Sequence, residues 1–128
     1  MKIRVQDGLP YISATITHKG QTLTLENVLI DTGSAGTIFS ADQVVAVGLE
    51  YGTDDVVHRI RGVGGAEFVF AKRAESLAVG DLRLNSFEIE VGAMDYGFAI
   101  DGIIGMDFLS QVKAIIDLDR FEIRVSPA

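Results

Sequence analysis

The residues whose types and order best suit chemistry lie in the segment VLIDTGSAGTIFS, at positions 28–40. Asp31 directly follows three apolar residues, where an acid is costly because burial disfavours the charged carboxylate. Thr32, Gly33 and Ser34 then supply what such a carboxylate needs, namely hydroxyl and main-chain donors and a residue small enough for close approach. A strand that ends in an Asp-Thr-Gly surface turn is the alternative. The apolar residues before the motif and Thr-Ile-Phe after it favour a functional role.

Other candidate groups carry weaker signals. The histidines, His18 and His58, lack acidic neighbours at metal-ligand spacing, so surface or packing roles are favoured and no metal site is predicted. Neither Ser34 nor Ser40 lies in the G-x-S-x-G context of a nucleophile elbow. The glycine-rich RGVGG at 61–65 lacks the Lys-Ser/Thr of a phosphate-binding loop and lies between predicted strands, not before a helix.

Length and composition set the broad class. The 128 residues, of 13.8 kDa, fit a single domain that spans positions 1–128. A net charge of -7 argues against a nucleic-acid partner, whose phosphates are bound by clustered basic residues. The chain has no cysteine, which removes disulfides, thiolate catalysis and the usual structural zinc sites. No apolar run is long enough to span a membrane, and the first ten residues lack the apolar core of a signal peptide, so a cytoplasmic protein is expected.

Glycines between short apolar runs predict a mostly β chain that positions these residues. The predicted strands are residues 11–18, 23–30, 56–60, 67–72, 74–79, 82–91, 113–118 and 121–125. Two short helices are predicted. The first, at 41–47, has a capping-box pattern of Ser40 and Gln43 and a stop at Gly48, and the second lies at 105–111.

Three ordered motifs resemble those of the retropepsin-like aspartic proteases, which are single-domain, dimeric enzymes. They are LIDTGSAGTIF at 29–39, which is similar to the active-site signature; RGVGG at 61–65, where the family has its flap; and DGIIGMDFLSQ at 101–111, similar to the apolar-apolar-Gly segment and its short helix. Together they cover nearly the whole chain. The resemblance implies an all-β fold, a closed acid-protease barrel with one or two short helices.

The resemblance also implies roles for single residues. Asp31 would be the catalytic acid, Thr32 would exchange hydrogen bonds across a dimer, and Ser34 would donate to the outer oxygen of Asp31. The substrate would contact Gly33 and a flap tip formed by Val63, Gly64 and Gly65. Ile103 would line the substrate pocket. No metal or organic cofactor is implied.

The implied activity is that of an aspartic endopeptidase, a hydrolase that activates water with two carboxyls sharing a proton. The chain has one Asp-Thr-Gly, so the second Asp31 must come from a symmetry-related copy, which predicts a homodimer with a peptide or protein substrate. The alternative is a non-catalytic peptide-binding or dimerisation module on the same fold. Retention of Asp31 argues against that alternative.

The sequence departs from the retroviral pattern in one respect. Many retroviral members have two acids shortly after Asp-Thr-Gly and an Arg at the helix start, whereas this chain has Ala35, Gly36 and Met106 there. The ion pair is therefore absent as a whole, which weakens the expectation of a tight dimer. Asp101 and Asp107 are nearby, and we expect their charge to favour neutral or basic substrate side chains. Asp101 is also expected to face substrate or solvent.

Overall fold

A computed structural model describes residues 1–62, 65–94 and 99–127, and β-strands make up most of its regular structure. The strands are β1 (Arg4–Gln6), β2 (Leu9–His18), β3 (Gln21–Ile30), β4 (Ile38–Ser40), β5 (Val57–Gly62), β6 (Gly65–Val79), β7 (Leu82–Gly92), β8 (Gly102–Ile104), β9 (Ala114–Asp117) and β10 (Glu122–Val125). Two short helices, α1 (Ala41–Val44) and α2 (Met106–Gln111), follow β4 and β8, and a single 3-10 turn (Val45–Val47) continues α1. The predicted all-β class with two short helices is confirmed.

Eight strands form one sheet in the order β1-β2-β3-β8-β4-β7-β6-β5. An additional antiparallel pairing joins β2 to β6 through residues 15–17 and 76–78. The pairing from β2 through β3, β8, β4, β7 and β6 therefore returns to β2. Strands β9 and β10 form a separate hairpin.

Strand β8 positions the site because it pairs with both strands that flank the Asp-Thr-Gly loop, β3 and β4. It lies parallel to β3, with Leu29 opposite Ile103 and Ile30 opposite Ile104. It also lies antiparallel to β4, with Ile38 opposite Ile103. The segments on either side of the Asp-Thr-Gly loop are thus both held by the same three-residue strand.

The core is formed by buried side chains of the sheet, of both helices and of residues near the two ends of the chain. Its largest fully buried side chains include Phe39, Phe108, Ile12, Ile16, Leu49 and Leu77. Phe108 of α2 contacts Phe87 of β7 edge to face, with ring centroids 5.9 Å apart. The helix that follows β8 is therefore anchored in the core by an aromatic pair.

The two ends of the chain pair with each other. The amide of Ile123 donates to the carbonyl oxygen of Met1 over 2.9 Å, and the amide of Ile3 donates to the carbonyl oxygen of Phe121 over 2.7 Å. The N-terminal residues thus extend the β9–β10 hairpin of their own chain. No helix in the described part of the chain is long and apolar enough to cross a membrane.

Two details of the predicted elements were wrong. The strands predicted at 67–72 and 74–79 are one continuous strand, β6, because no residue between them breaks the pairing with β7. Ser40 precedes α1, but its side chain makes no capping hydrogen bond. The predicted stop is correct, since Gly48 adopts a left-handed conformation with φ of 82°.

Candidate active site

Asp31 lies in the loop that follows β3 and is held from two directions. Its main-chain N–H donates to the carbonyl oxygen of Ile104 over 3.0 Å. Its side-chain Oδ1 accepts the N–H of Gly33 over 2.9 Å. These two hydrogen bonds fix the carboxyl in position. Asp31 is only partly buried, so the carboxyl remains open to solvent.

The three residues after Asp31 are exposed to solvent or half-buried. Thr32 and Gly33 are exposed, and Ser34 is half-buried. The Ser34 amide donates to the main-chain oxygen of Asp31 over 3.1 Å, which closes the turn. The predicted bond from the Ser34 hydroxyl to Asp31 is not formed, because this hydroxyl donates to the carbonyl of Gly36 over 2.7 Å.

The start of α2 packs directly against this loop. The amides of Met106 and Asp107 donate to the carbonyls of Ser34 and Ala35 over 2.8 and 3.2 Å. At Gly105 the backbones come so close that a Cβ atom would collide with the carbonyl of Gly36. A glycine is therefore required at 105 for the helix and the loop to meet.

A buried polar pair joins the same two segments. The Thr37 side chain is completely buried, and its hydroxyl donates to Asp107 Oδ1 over 2.7 Å. The Thr37 amide donates to Asp107 Oδ2 over 3.2 Å. Both carboxylate oxygens of Asp107 thus accept hydrogen bonds within the chain, and its expected effect on subsite charge stays a prediction.

Asp101 also has a structural contact. Its Oδ2 accepts the main-chain N–H of Asn27 over 3.1 Å, and its own amide donates to the Asn27 carbonyl over 2.8 Å. The Asn27 side chain in turn accepts a bond of 2.9 Å from Arg4. This carboxylate therefore ties β3 to the start of β8 and is half-buried, and its expected substrate-facing or solvent role stays a prediction.

The remaining predicted site residues fall in the hairpin and in β8. Gly65 begins β6, where it pairs with Gly62, while Val63 and Gly64 lie outside the described residues. Ile103 is half-buried between Leu29 and Ile38. Across the described ranges, no three His, Asp or Glu side chains are grouped so that they could hold a metal ion.

Comparison with known proteins identifies the family. A model of the family described as "Aspartyl protease" matches residues 12–108, which is most of the chain and includes the Asp31 loop, β8 and the start of α2. The chain belongs to the aspartyl protease family. No curated protein matches this chain significantly in sequence.

Among solved structures, this aspartyl protease domain is similar to a retropepsin-like aspartic protease from Rickettsia conorii. The two share 19% sequence identity, with a TM-score of 0.67, and the match covers 96% of this chain and 95% of the other. At that identity the likeness shows a shared fold. The predicted aspartic protease family and the retropepsin-like fold are confirmed.

Ala35, Gly36 and Met106 stand where many retroviral members have the acids and the Arg, and other contacts hold these segments together in this chain. The loop and helix that an acid–Arg pair would join are held here by main-chain hydrogen bonds and by the pair of Thr37 and Asp107. Thr37 is not among the site residues predicted from the sequence. Its signal is a lone hydroxyl in an apolar segment, but its partner lies 70 positions away and could not be located from the sequence.

Proposed function

We propose that this protein is an aspartic endopeptidase in which two Asp31 carboxyls, one from each subunit of a homodimer, activate water against a peptide bond. One carboxylate takes a proton from the water while the partner carboxylic acid donates one to the peptide carbonyl oxygen. The observation that carries the proposal is the setting of Asp31. It directly follows a strand whose last three residues are buried or half-buried, is fixed by Gly33 and Ile104, and remains partly exposed.

The need for a dimer follows from the chemistry. Two carboxyls in close proximity share a proton because they cannot both ionise easily, and they then titrate as one unit. The aspartic proteases are the established example of such a dyad. This chain offers a single Asp-Thr-Gly, so a two-fold axis beside Asp31 is the simplest way to complete the dyad. The exposure of Thr32 and Gly33 leaves both free for contacts across that axis.

The substrate we propose is an extended peptide. A peptide that lies as an added strand would bond through its backbone to Gly33 and to a flap, which Val63, Gly64 and Gly65 would form. Ile103 would line a side-chain pocket beside Asp31, since it lies in β8 directly opposite Leu29. Closure of the flap would exclude water other than the attacking molecule. The proposed reaction uses no cofactor.

A subunit-mixing experiment tests the proposal. Wild type and Asp31→Asn are purified separately, mixed in equal amounts, allowed to exchange subunits and assayed on a peptide library from about pH 4 to 7. Because a mixed dimer has one carboxyl, about a quarter of the dimers should be active after random exchange. Specific activity per wild-type subunit then falls by about half. Asp31→Asn alone should be inactive.

The other outcomes are equally informative. Cleavage by pure Asp31→Asn, or cleavage whose rate per wild-type subunit is unchanged by mixing, would refute the shared dyad. A dimer that cleaves no peptide would favour the second candidate, a peptide-binding or dimerisation module. That candidate has one observation in its favour, the absence of the acid–Arg pair at Ala35, Gly36 and Met106.

A further inference from the structure

One peptide group connects Asp31 to a buried threonine. The carbonyl oxygen of Ile104 accepts the amide of Asp31 over 3.0 Å. The N–H of the same peptide group, which belongs to Gly105, donates to the hydroxyl oxygen of Thr37 over 3.1 Å. Because a peptide group is planar and rigid, the hydroxyl at one end sets the direction of the carbonyl at the other.

The Thr37 hydroxyl both donates and accepts a hydrogen bond. It accepts from Gly105 and donates its single proton to Asp107 Oδ1 over 2.7 Å. A hydroxyl can rotate, and the carboxylate of Asp107 fixes that rotation by accepting the proton, which leaves a lone pair directed at Gly105. Asp107 is itself held by the amides of Thr37 and Phe108, over 3.2 and 2.8 Å.

We infer that Thr37 and Asp107 are positioning residues for Asp31 and act through the peptide group between Ile104 and Gly105. The inference rests on the proposed function for its kinetic consequence, but not for its structural one. Thr37 is completely buried, so its side chain is not exposed to a bound peptide. Its contribution should therefore appear in the chemical step and not in substrate binding.

Isosteric variants separate this role from simple packing. Thr37→Val keeps the shape and removes the hydroxyl, whereas Thr37→Ser keeps the hydroxyl and removes a methyl group. We expect Thr37→Val to lower kcat by about 10- to 100-fold with KM changed by no more than about two-fold, since small displacements of a catalytic group cost this much. Thr37→Ser should stay within about three-fold of wild type, since the orienting hydroxyl is kept.

Asp107→Asn provides a second variant. Its amide nitrogen cannot accept the Thr37 N–H, so one bond of the pair is lost while the side-chain volume is kept. We expect a fall in kcat between those of the two threonine variants. If Thr37→Val does not fold, the comparison of Asp107→Asn with Thr37→Ser decides the inference in the same way.

A measurement without catalysis distinguishes failure of this inference from failure of the proposed function. Amide hydrogen exchange is followed by NMR in the Asp31→Asn background, with and without Thr37→Val. The main-chain amides at position 31 and at Gly105 should exchange at least about ten-fold faster with valine, since both depend on the oriented peptide group. Amides of the β6–β7 hairpin, such as Leu77, should keep their rates.

Three results would overturn the inference. The first is equal protection of the Gly105 amide with valine and threonine at position 37. The second is a uniform rise in exchange that includes Leu77, which would indicate a purely global effect on stability. The third is a change in KM alone. If the wild type cleaves nothing, the proposed function fails, and the exchange data still decide whether Thr37 orients this loop.

Discussion

The main-chain N–H of Asp31 donates a hydrogen bond of 3.0 Å to the carbonyl oxygen of Ile104. These residues lie far apart in the sequence and meet because β8 lies parallel to β3, in register from Val28 to Ile30. The acid is therefore held by a strand from the other end of the chain and not only by its own turn.

Gly105→Ala should destabilise the fold by about 1–3 kcal/mol, because the added methyl group has no space beside the loop. Its Cβ would lie 2.8 Å from Ser34 O and closer still to Gly36. Gly36→Ala is the matched control, since a Cβ there meets nothing within 4 Å. Denaturant unfolding at one fixed protein concentration measures both. Equal losses in the two variants would contradict the predicted close approach.

Phe108→Ala should cost about 3–5 kcal/mol of unfolding free energy, as expected for a large aromatic core residue. Its side chain is 0% exposed and contacts Phe87. Phe68→Ala offers a control of the same chemistry, because Phe68 is 69% exposed, and its cost should stay within about 0.5 kcal/mol. Thermal and urea unfolding report both. A similar loss at Phe68 would show that α2 is not specially anchored.

Asp101→Ala should destabilise the protein by about 1–3 kcal/mol, because the half-buried amide of Asn27 would lose its acceptor. Asp101→Asn keeps an oxygen that can accept this bond and should recover most of the loss. Under the proposed function, Asp101→Asn should also keep proteolytic activity, whereas Asp31→Asn abolishes it. Inactivation by Asp101→Asn with unchanged stability would instead indicate a catalytic role for Asp101.

Asp117 should make stability depend on pH in the acid range. The amide of Arg120, followed by the guanidinium of Arg124 and the amide of Asp119, lowers the pKa of this carboxyl below its ordinary 3.8. A lowered pKa in the folded state contributes stability that is full above pH 3.8 and is lost as the pH falls through the folded value.

Melting temperatures of wild type and Asp117→Asn, measured from about pH 7 down to pH 2, test that sign. We expect the wild type to melt higher at neutral pH and the difference to close in acid below pH 3.8. In an Arg124→Gln background the difference should be smaller, because one of the stabilising partners is gone. A difference that grows as the pH falls would have the wrong sign.

Local chemistry made several features predictable from the sequence. Asp31 was identified because an acid after an apolar strand is costly without Thr32, Gly33 and their neighbours, and all of these residues are adjacent. The β-strands follow from alternation, and the stop at Gly48 follows from the tolerance of glycine for a left-handed conformation. The all-β class follows from these short-range patterns, and the family follows from the order of three short motifs along the chain.

The tertiary structure alone decided which distant groups meet. Pairing of β3 with β8 brings Ile104 to Asp31, and packing of α2 against the loop brings Asp107 to Thr37. The sequence shows Asp101 and Asp107 only as free acids near a predicted site, because a carboxylate's partner is set by long-range register and not by its neighbours in the chain. Their engagement with Asn27 and Thr37 could therefore be seen only in the folded chain.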